Sequence, residues 1–453
     1  MTGRILRVEL WRSNARWMAL LLLPAVIGVG EAGRGLTVLA LDQRQALFGA
    51  FPLAMGVAAW HARRDRRSGV EELLATMPRP RWQRVLPGAV ALVIGAFAAF
   101  LLTCLVNVAL VANAGGYLST ASLPIVAVGA VALLAPVAFG LAVGRWLPFM
   151  LVPPVLILYM AMNLFFGDTE AYTEGPDASG EPPGWLLLWG TLQSVGTEFD
   201  FAAITARTHL GQALWLVALA AAGIILYATT RPGGRAAAVA VVAVGAAVAV
   251  PVLPDRYAEA YALDPGATAP VCTPRPPRVC VTRAHRAALP DLSGPGREAL
   301  AILAAKLPDP PTSVTEISYA DPPAPRADTV HIALWVGGDG RLRGPVLGIV
   351  PDIRWELLLG AGTPSCADPP PGTPERRRYD LARLVAAAWL LDQDPPPADP
   401  GDPALASRTE SLAAYQALRR LPPDQQRTRV AQLRRAELAC DSGDRLDLLT
   451  GPR

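Results

Sequence analysis

Seven runs of mostly apolar residues crowd the first 253 positions of this 453-residue chain, and a lipid bilayer is the environment in which such runs fold. A crossing helix needs about 20 of these residues, because the hydrocarbon holds no water to satisfy backbone N–H and C=O groups. The runs are approximately Trp17 to Gly33, Ala46 to Ala62, Val85 to Val111, Ala121 to Trp146, Leu147 to Phe166, Leu210 to Ala228 and Ala236 to Leu253. The fourth and fifth part only at Gly144 to Pro148, where Arg145 and Pro148 permit a tight turn. The mean hydropathy of +0.31 agrees with a membrane class. The first run is long for a signal-peptide core and lacks a small-x-small cleavage pattern near Glu31.

Arginine sets the expected orientation, since short cytoplasmic loops retain positive charge. With the N-terminus inside, the inner pieces hold Arg4, Arg7, Arg12, Arg16, Arg63, Arg64, Arg66, Arg67, Arg79, Arg81, Arg84, Arg145, Arg231 and Arg235. The outer loops hold Arg34, Arg44 and Arg207. An odd number of spans then puts everything after Leu253 outside, at the plasma membrane of the cell. Cys272, Cys280, Cys366 and Cys440 all fall in that external part, where disulfides persist, and Cys104 lies within a span. Four cysteines allow three pairings. The short loop between the first two favours Cys272 with Cys280 and Cys366 with Cys440, without excluding the others.

Three domains follow: 1–16, a cytoplasmic interfacial helix; 17–253, the transmembrane part; and 254–453, an extracytoplasmic α+β domain stapled by disulfides. In the first, Ile5, Val8, Trp11 and Ala15 recur at helical spacing among the arginines, a pattern that a disordered basic tail also accommodates. Between the second and third spans, a short helix over Val70 to Met77 lies between arginine clusters, opened by Gly69 and closed by Pro78 and Pro80. The outer loop 167–209 begins acidic and carries Trp185 to Leu192, an apolar piece too short to span and suited to re-entry at the outer interface. In the last domain, Arg297 to Leu307 reads as a helix, and Ser313 to Tyr319 and Thr329 to Val336 as strands. Gly338-Asp339-Gly340 reads as a hairpin turn. Helices are expected near Tyr379 to Asp392, Glu410 to Arg420 and Pro423 to Ala439.

Several chemistries lack their residues. No G-x-x-x-x-G-K-[ST] loop occurs and the single lysine, Lys306, stands in AAKLP, so any ATP consumed is expected to be bound by another subunit. The predicted spans carry no mid-bilayer Asp, Glu, Lys or His, which argues against ion-coupled transport; Glu31 and His61 fall at span ends. Polar groups within the spans include Thr103, Asn107, Tyr159 and Asn163, candidates for a substrate path or for helix–helix hydrogen bonds. An apolar interior suits an amphiphilic or lipid-like cargo. His285 and His331 stand without an H-E-x-x-H or G-x-S-x-G pattern, so neither catalytic residues nor a metal site is expected.

The stretch Gly69-Val70-Glu71-Glu72-Leu73-Leu74-Ala75-Thr76-Met77-Pro78, followed by Arg81, resembles the cytoplasmic coupling segment of ABC-2 type transporter permeases. That family's segment reads as acidic residue, leucines, small residue, Ser or Thr, Pro and a downstream Arg. The basic N-terminal helix, six spans and an outer re-entrant piece before the sixth are also similar to the family, over about residues 1–230. A lysine often found before the third span is missing, and a seventh span is added, which would export the C-terminal domain. The resemblance implies a six-span ABC-2-like core plus a seventh span, with an ATPase-coupling segment at 63–84. Glu71, Glu72, Leu73, Leu74, Thr76, Pro78 and Arg81 would then engage a separate P-loop nucleotide-binding subunit holding ATP and Mg. A solvated helix face for Glu71 and Glu72, and lipid headgroups for the Arg63 to Arg67 cluster, are the competing roles. The family works in pairs, which implies a second copy or a paired permease, and no nucleic acid. The tail is similar to uncharacterised domains on actinobacterial permeases. The expectation is an ABC exporter subunit without its own enzymatic activity; the rivals are a membrane-anchored extracytoplasmic binding or assembly module, and a membrane-bound hydrolase.

Overall fold

The computed structural model describes residues 34–64, 81–147, 201–229, 231–256, 258–318, 323–345, 350–364, 373–396, 408–441 and 443–451, with short pieces at 10, 18–20, 151, 153–155, 157–158, 184–188 and 369. Most of the N-terminal helix, the first and fifth expected spans, and the coupling segment from Glu71 to Pro78 lie outside these residues, as do Tyr159, Asn163 and Cys366. The fold is mostly helical and divides into two compact units. One comprises Met1–Asn113 and Leu118–Asp264, the other Ala114–Tyr117 and Pro265–Arg453.

The first unit is built from α1 (Leu36–Ala62), α2 (Arg81–Asn113), α3 (Ser122–Ala132), α4 (Leu134–Trp146), α5 (Ala206–Ala228) and α6 (Pro232–Ala249). Among the described residues, four helical stretches are long and apolar enough to cross a bilayer: Val85–Asn113, Ser122–Trp146, Ala206–Ala228 and Pro232–Val252. They make this a membrane protein. The second expected span is a longer helix than its apolar run, because α1 starts at Leu36 and only Ala50–Ala62 is uniformly apolar. Arg44, expected in an outer loop, is therefore inside a helix. The apolar residues Leu36 to Leu41 ahead of Asp42 continue the same helix across the polar triplet. The fourth expected span is interrupted at Leu133, between α3 and α4. Pro136 has no N–H for the Ala132 carbonyl and its ring crowds that oxygen, which breaks the ladder there.

Small residues set the packing of these helices. A Cβ on Gly140 would fall 2.3 Å from the Met55 carbonyl oxygen, and one on Gly144 2.3 Å from that of Ala59, so the α4 backbone lies directly on α1. This is the close approach that a small-x-x-x-small pair permits in lipid, where packing and hydrogen bonds replace the hydrophobic effect as the glue between helices. Trp146 donates its indole N–H to the Leu226 carbonyl at 3.1 Å, and the Arg235 guanidinium lies 4.1 Å from its ring centroid. By contrast, α6 packs along α5 and leaves Val239, Val244 and Val248 exposed, as a span does whose other sides face lipid.

Two short strands close the unit. β1 (Ala202–Ile204) pairs antiparallel with β2 (Tyr261–Leu263), Ala203 opposite Ala262. This pairing carries the unit to Asp264 rather than to the end of the last apolar run at Leu253.

The second unit has a four-stranded sheet in the order β3 (Pro270–Cys272), β4 (Arg278–Thr282), β5 (Ser313–Glu316), β6 (Thr329–Ile332). β3 and β4 are antiparallel, whereas β4, β5 and β6 run parallel. A parallel step needs a crossover, supplied between β4 and β5 by α7 (Leu289–Lys306), which starts earlier than its expected Arg297. Cys272 stands opposite Cys280 on the β3–β4 pair and is bonded to it. Cys440 is also disulfide-bonded. The expected strand from Ser313 ends at Glu316, and the one from Thr329 ends at Ile332. Trp335–Val336 (β7) belongs instead to a separate hairpin with Leu342–Gly344 (β8), around the expected Gly338-Asp339-Gly340 turn.

Helices α8 (Ile353–Leu358), α9 (Pro374–Leu391), α10 (Arg408–Arg419), α11 (Pro423–Leu438) and α12 (Arg445–Thr450) complete the unit. Side-chain caps start three of them. Asp352 accepts from the Arg354 and Trp355 amides, Thr373 from that of Arg376, and Asp444 from those of Leu446 and Asp447. Their apolar faces meet the sheet in one core that includes Val279, Leu303, Val314, Val330, Leu358, Val385 and Leu433.

Candidate functional site

A polar layer crosses the membrane unit between two apolar clusters. On α1, Leu41 belongs to one cluster and Leu47 to the other, with Gln43 and Arg44 between. On α5, Thr208, His209 and Gln212 lie between Ile204 on one side and Tyr227 on the other. On α2, Thr103 and Asn107 follow Phe100 of the second cluster. Gln43, Arg44, Thr103, Asn107 and Gln212 are each no more than 4% exposed, and His209 is 7% exposed.

The layer is hydrogen-bonded from helix to helix. The Gln43 amide donates to the Thr103 hydroxyl at 2.6 Å and accepts from the Asn107 amide at 3.2 Å and from the Cys104 thiol at 3.5 Å. The Thr103 hydroxyl donates in turn to the Phe100 carbonyl at 2.7 Å. Arg44 donates to the Gln212 side-chain oxygen, and the Gln212 amide donates to the Leu187 carbonyl at 2.8 Å. Both ring nitrogens of His209 and the side-chain oxygen of Asn107 are buried without a hydrogen-bond partner.

Thr103 and Asn107, two of the four expected path residues, are thus brought together, and Gln43 joins them; Tyr159 and Asn163 lie outside the described residues. Gln43, Arg44, His209 and Gln212 were not anticipated: Gln43, Arg44 and His209 fell outside the expected spans, and Gln212, inside the sixth, was passed over. Arg44 and His209 are both inside helices: His209 is in the first turn of α5, and Arg44 is in α1 ahead of the apolar stretch Ala50–Ala62. The apolar turn Leu36 to Leu41 ahead of the Asp42-Gln43-Arg44 triplet was the available signal for Arg44. Of the coupling residues, Arg81 opens α2, while Glu71, Glu72, Leu73, Leu74, Thr76 and Pro78 lie outside the described residues.

The second unit buries two ionic clusters. Glu316 accepts from the Thr282 amide at 2.6 Å and hydroxyl at 2.9 Å, and pairs with His285. Glu437 accepts from Arg383 at 2.9 Å, Arg445 at 2.8 Å and the Tyr379 hydroxyl at 2.9 Å. Nearby, Arg434 donates to the carbonyls of Ala361 at 2.6 Å, Gly362 at 3.1 Å and Ala327 at 2.8 Å. Burial pushes its guanidinium down to about 10, against the pull of Asp309. His331 is held below the usual 6.5 by burial and by Arg326, with Asp328 opposing. Among the described residues, no group of three or more His, Cys, Asp or Glu converges in a metal-ligating arrangement. These clusters tie helices and strands to the loops between them.

No protein-family model, curated protein or solved structure matches the chain.

Proposed function

We propose that the chain is the membrane permease subunit of an ABC exporter. It moves an amphiphilic compound, peptide or lipid outward, using ATP hydrolysed by a separate nucleotide-binding subunit. The observation that carries the reading is the polar layer. A simple anchor is stable with an apolar interior, whereas buried Gln, Asn, Arg and His side chains in a bundle of membrane helices are costly and are retained for what they contact. Apolar clusters on either side suit a cargo with an apolar body and a polar group. The direction of coupling comes from the resemblance of the Gly69 to Pro78 segment, with Arg81, to a permease coupling segment.

The test is a double substitution, Glu71→Ala with Glu72→Ala, in the permease reconstituted with its ATPase and a fluorescent amphiphile as cargo. ATP hydrolysis is expected to continue while ATP-dependent cargo movement falls at least tenfold. Unchanged coupling would remove the mechanism. The alternative, a membrane-anchored binding or assembly module without transport, draws on the open depression lined by Asp424, Thr428, Arg429, Gln432, Asp447 and Leu448 in the second unit. It predicts no ATP-dependent movement with any partner ATPase.

A further inference from the structure

Arg231 and Arg235 stand one helical turn apart where α5 gives way to α6, Arg231 as the N-cap and Arg235 four residues on. Both are exposed, and among the described residues neither side chain has a hydrogen bond or an ion pair with a carboxylate. The same four-residue ridge of α6 continues through Val239 and Ala243, which are exposed as well, Val239 to 69%. Two cations are thus followed along one ridge by apolar surface, on a helix long and apolar enough to cross a bilayer.

Trp146, at the end of α4, holds one of these cations in place. Its indole N–H is fixed on the Leu226 carbonyl at 3.1 Å, and the Arg235 guanidinium lies 4.1 Å from the ring centroid. Stacking engages the flat face of a guanidinium and leaves its N–H donors in the plane, where they can meet an oxyanion. The aromatic platform therefore orients the charge without neutralising it. An indole at this position also suits the level of the headgroups, where tryptophan collects.

Guanidiniums offer donors only, so the group that matches this pair is an oxyanion with several acceptor oxygens. The exposed ridge beneath it suits a hydrocarbon chain. An anionic phospholipid brings both in one molecule, and basic corners between membrane helices take such headgroups. A zwitterionic headgroup brings its phosphate together with a quaternary ammonium, which returns positive charge to a patch that already carries two cations. We propose that Arg231, Arg235 and Trp146 form a headgroup site for an anionic phospholipid of the leaflet that holds the α5–α6 turn, with Val239 and Ala243 along its acyl chain. The site is independent of the transport reading, because it serves a permease and an anchored module alike.

The full chain in dodecyl maltoside micelles is titrated with phosphatidylglycerol, phosphatidylcholine or inorganic phosphate. Thermal unfolding gives the half-saturating concentration, and native mass spectrometry counts the lipids retained. Phosphatidylglycerol is expected to raise the unfolding temperature and to remain bound as detergent is stripped, and phosphatidylcholine to do neither. In Arg231→Gln and Arg235→Gln the half-saturating concentration should rise roughly tenfold or more, as the loss of a charge-assisted hydrogen bond implies. Both side chains are exposed, so each variant should fold. Arg207→Gln removes the same charge from the other end of α6, where Arg207 donates to the Val252 and Leu253 carbonyls, and should leave that concentration unchanged. An equal response to phosphatidylcholine, an unaltered response in both Arg231→Gln and Arg235→Gln, or an equal loss in Arg207→Gln would overturn the site. Inorganic phosphate acting as strongly as phosphatidylglycerol would overturn the lipid and leave a free anion as ligand.

Discussion

Glu437 has no exposed side-chain surface, and its two oxygens meet two guanidiniums and a phenol. Removing one member of such a buried set leaves the others as uncompensated charges, which costs about 3–5 kcal/mol. Glu437→Gln should therefore destabilise the second unit by that order, measured as faster hydrogen exchange through α9 and α11 in the full chain. Arg434 differs, because backbone carbonyls rather than a carboxylate receive it. His331 makes a prediction of opposite chemistry. Its folded value lies below the 6.5 of an exposed imidazole, so at intermediate pH the unfolded chain binds the proton and the folded chain does not. The stability it contributes is full above about 6.5 and is lost as pH falls through its lower folded value. Replacing it with Gln should flatten that part of a pH–stability curve recorded by thermal unfolding, and an unchanged slope would assign the acid sensitivity elsewhere. Nothing in the sequence pairs Glu437 with Arg383 and Arg445, since helical spacing reports which face is apolar and not which charges meet across it.

At the level of elements, the periodic segments were the legible ones. The helices expected near Tyr379, Glu410 and Pro423 occur as α9, α10 and α11, and the Gly338-Asp339-Gly340 turn joins two strands. Helix starts were less legible, because apolar periodicity marks a buried face while a cap or a break depends on single residues. Pro136 divides one apolar run into two helices, and α1 extends beyond its apolar run at the N-terminal end. The contact of α4 with α1 was written in the Gly140-Leu-Ala-Val-Gly144 spacing, which a reading for apolar length alone passes over. Gly144→Leu places a side chain where the Ala59 backbone stands. It should part the two helices and lower the unfolding temperature in detergent, with overpacking of typically 1–3 kcal/mol. The same change at Gly233, which has open space around it, should be nearly silent by the same measurement.

For the whole molecule, the sidedness read from arginine makes a prediction independent of any cargo. Alkaline phosphatase fused after Asp264 should be active outside the cell, and fused at Gly233 inactive. The reverse pattern would invert the proposed topology, and activity at both would mean that α6 does not cross. The polar layer is enclosed by the membrane helices, while the second unit has its own sheet, core and disulfide. The fusion experiment places the second unit on one side of the membrane.

The sequence by itself determined that these residues enter a membrane, where the apolar helices fall, and that a β-containing domain follows, because transfer from water and backbone periodicity act on contiguous residues. It singled out Thr103 and Asn107 for the same reason, as polar groups within an apolar run. Only the tertiary structure decided what those groups meet. Gln43 and Asn107 are 64 positions apart, and Arg44 and Gln212 are 168 apart. Their partnerships arise from helices packed side by side, and that packing places an arginine and a histidine assigned to loops in the buried polar layer.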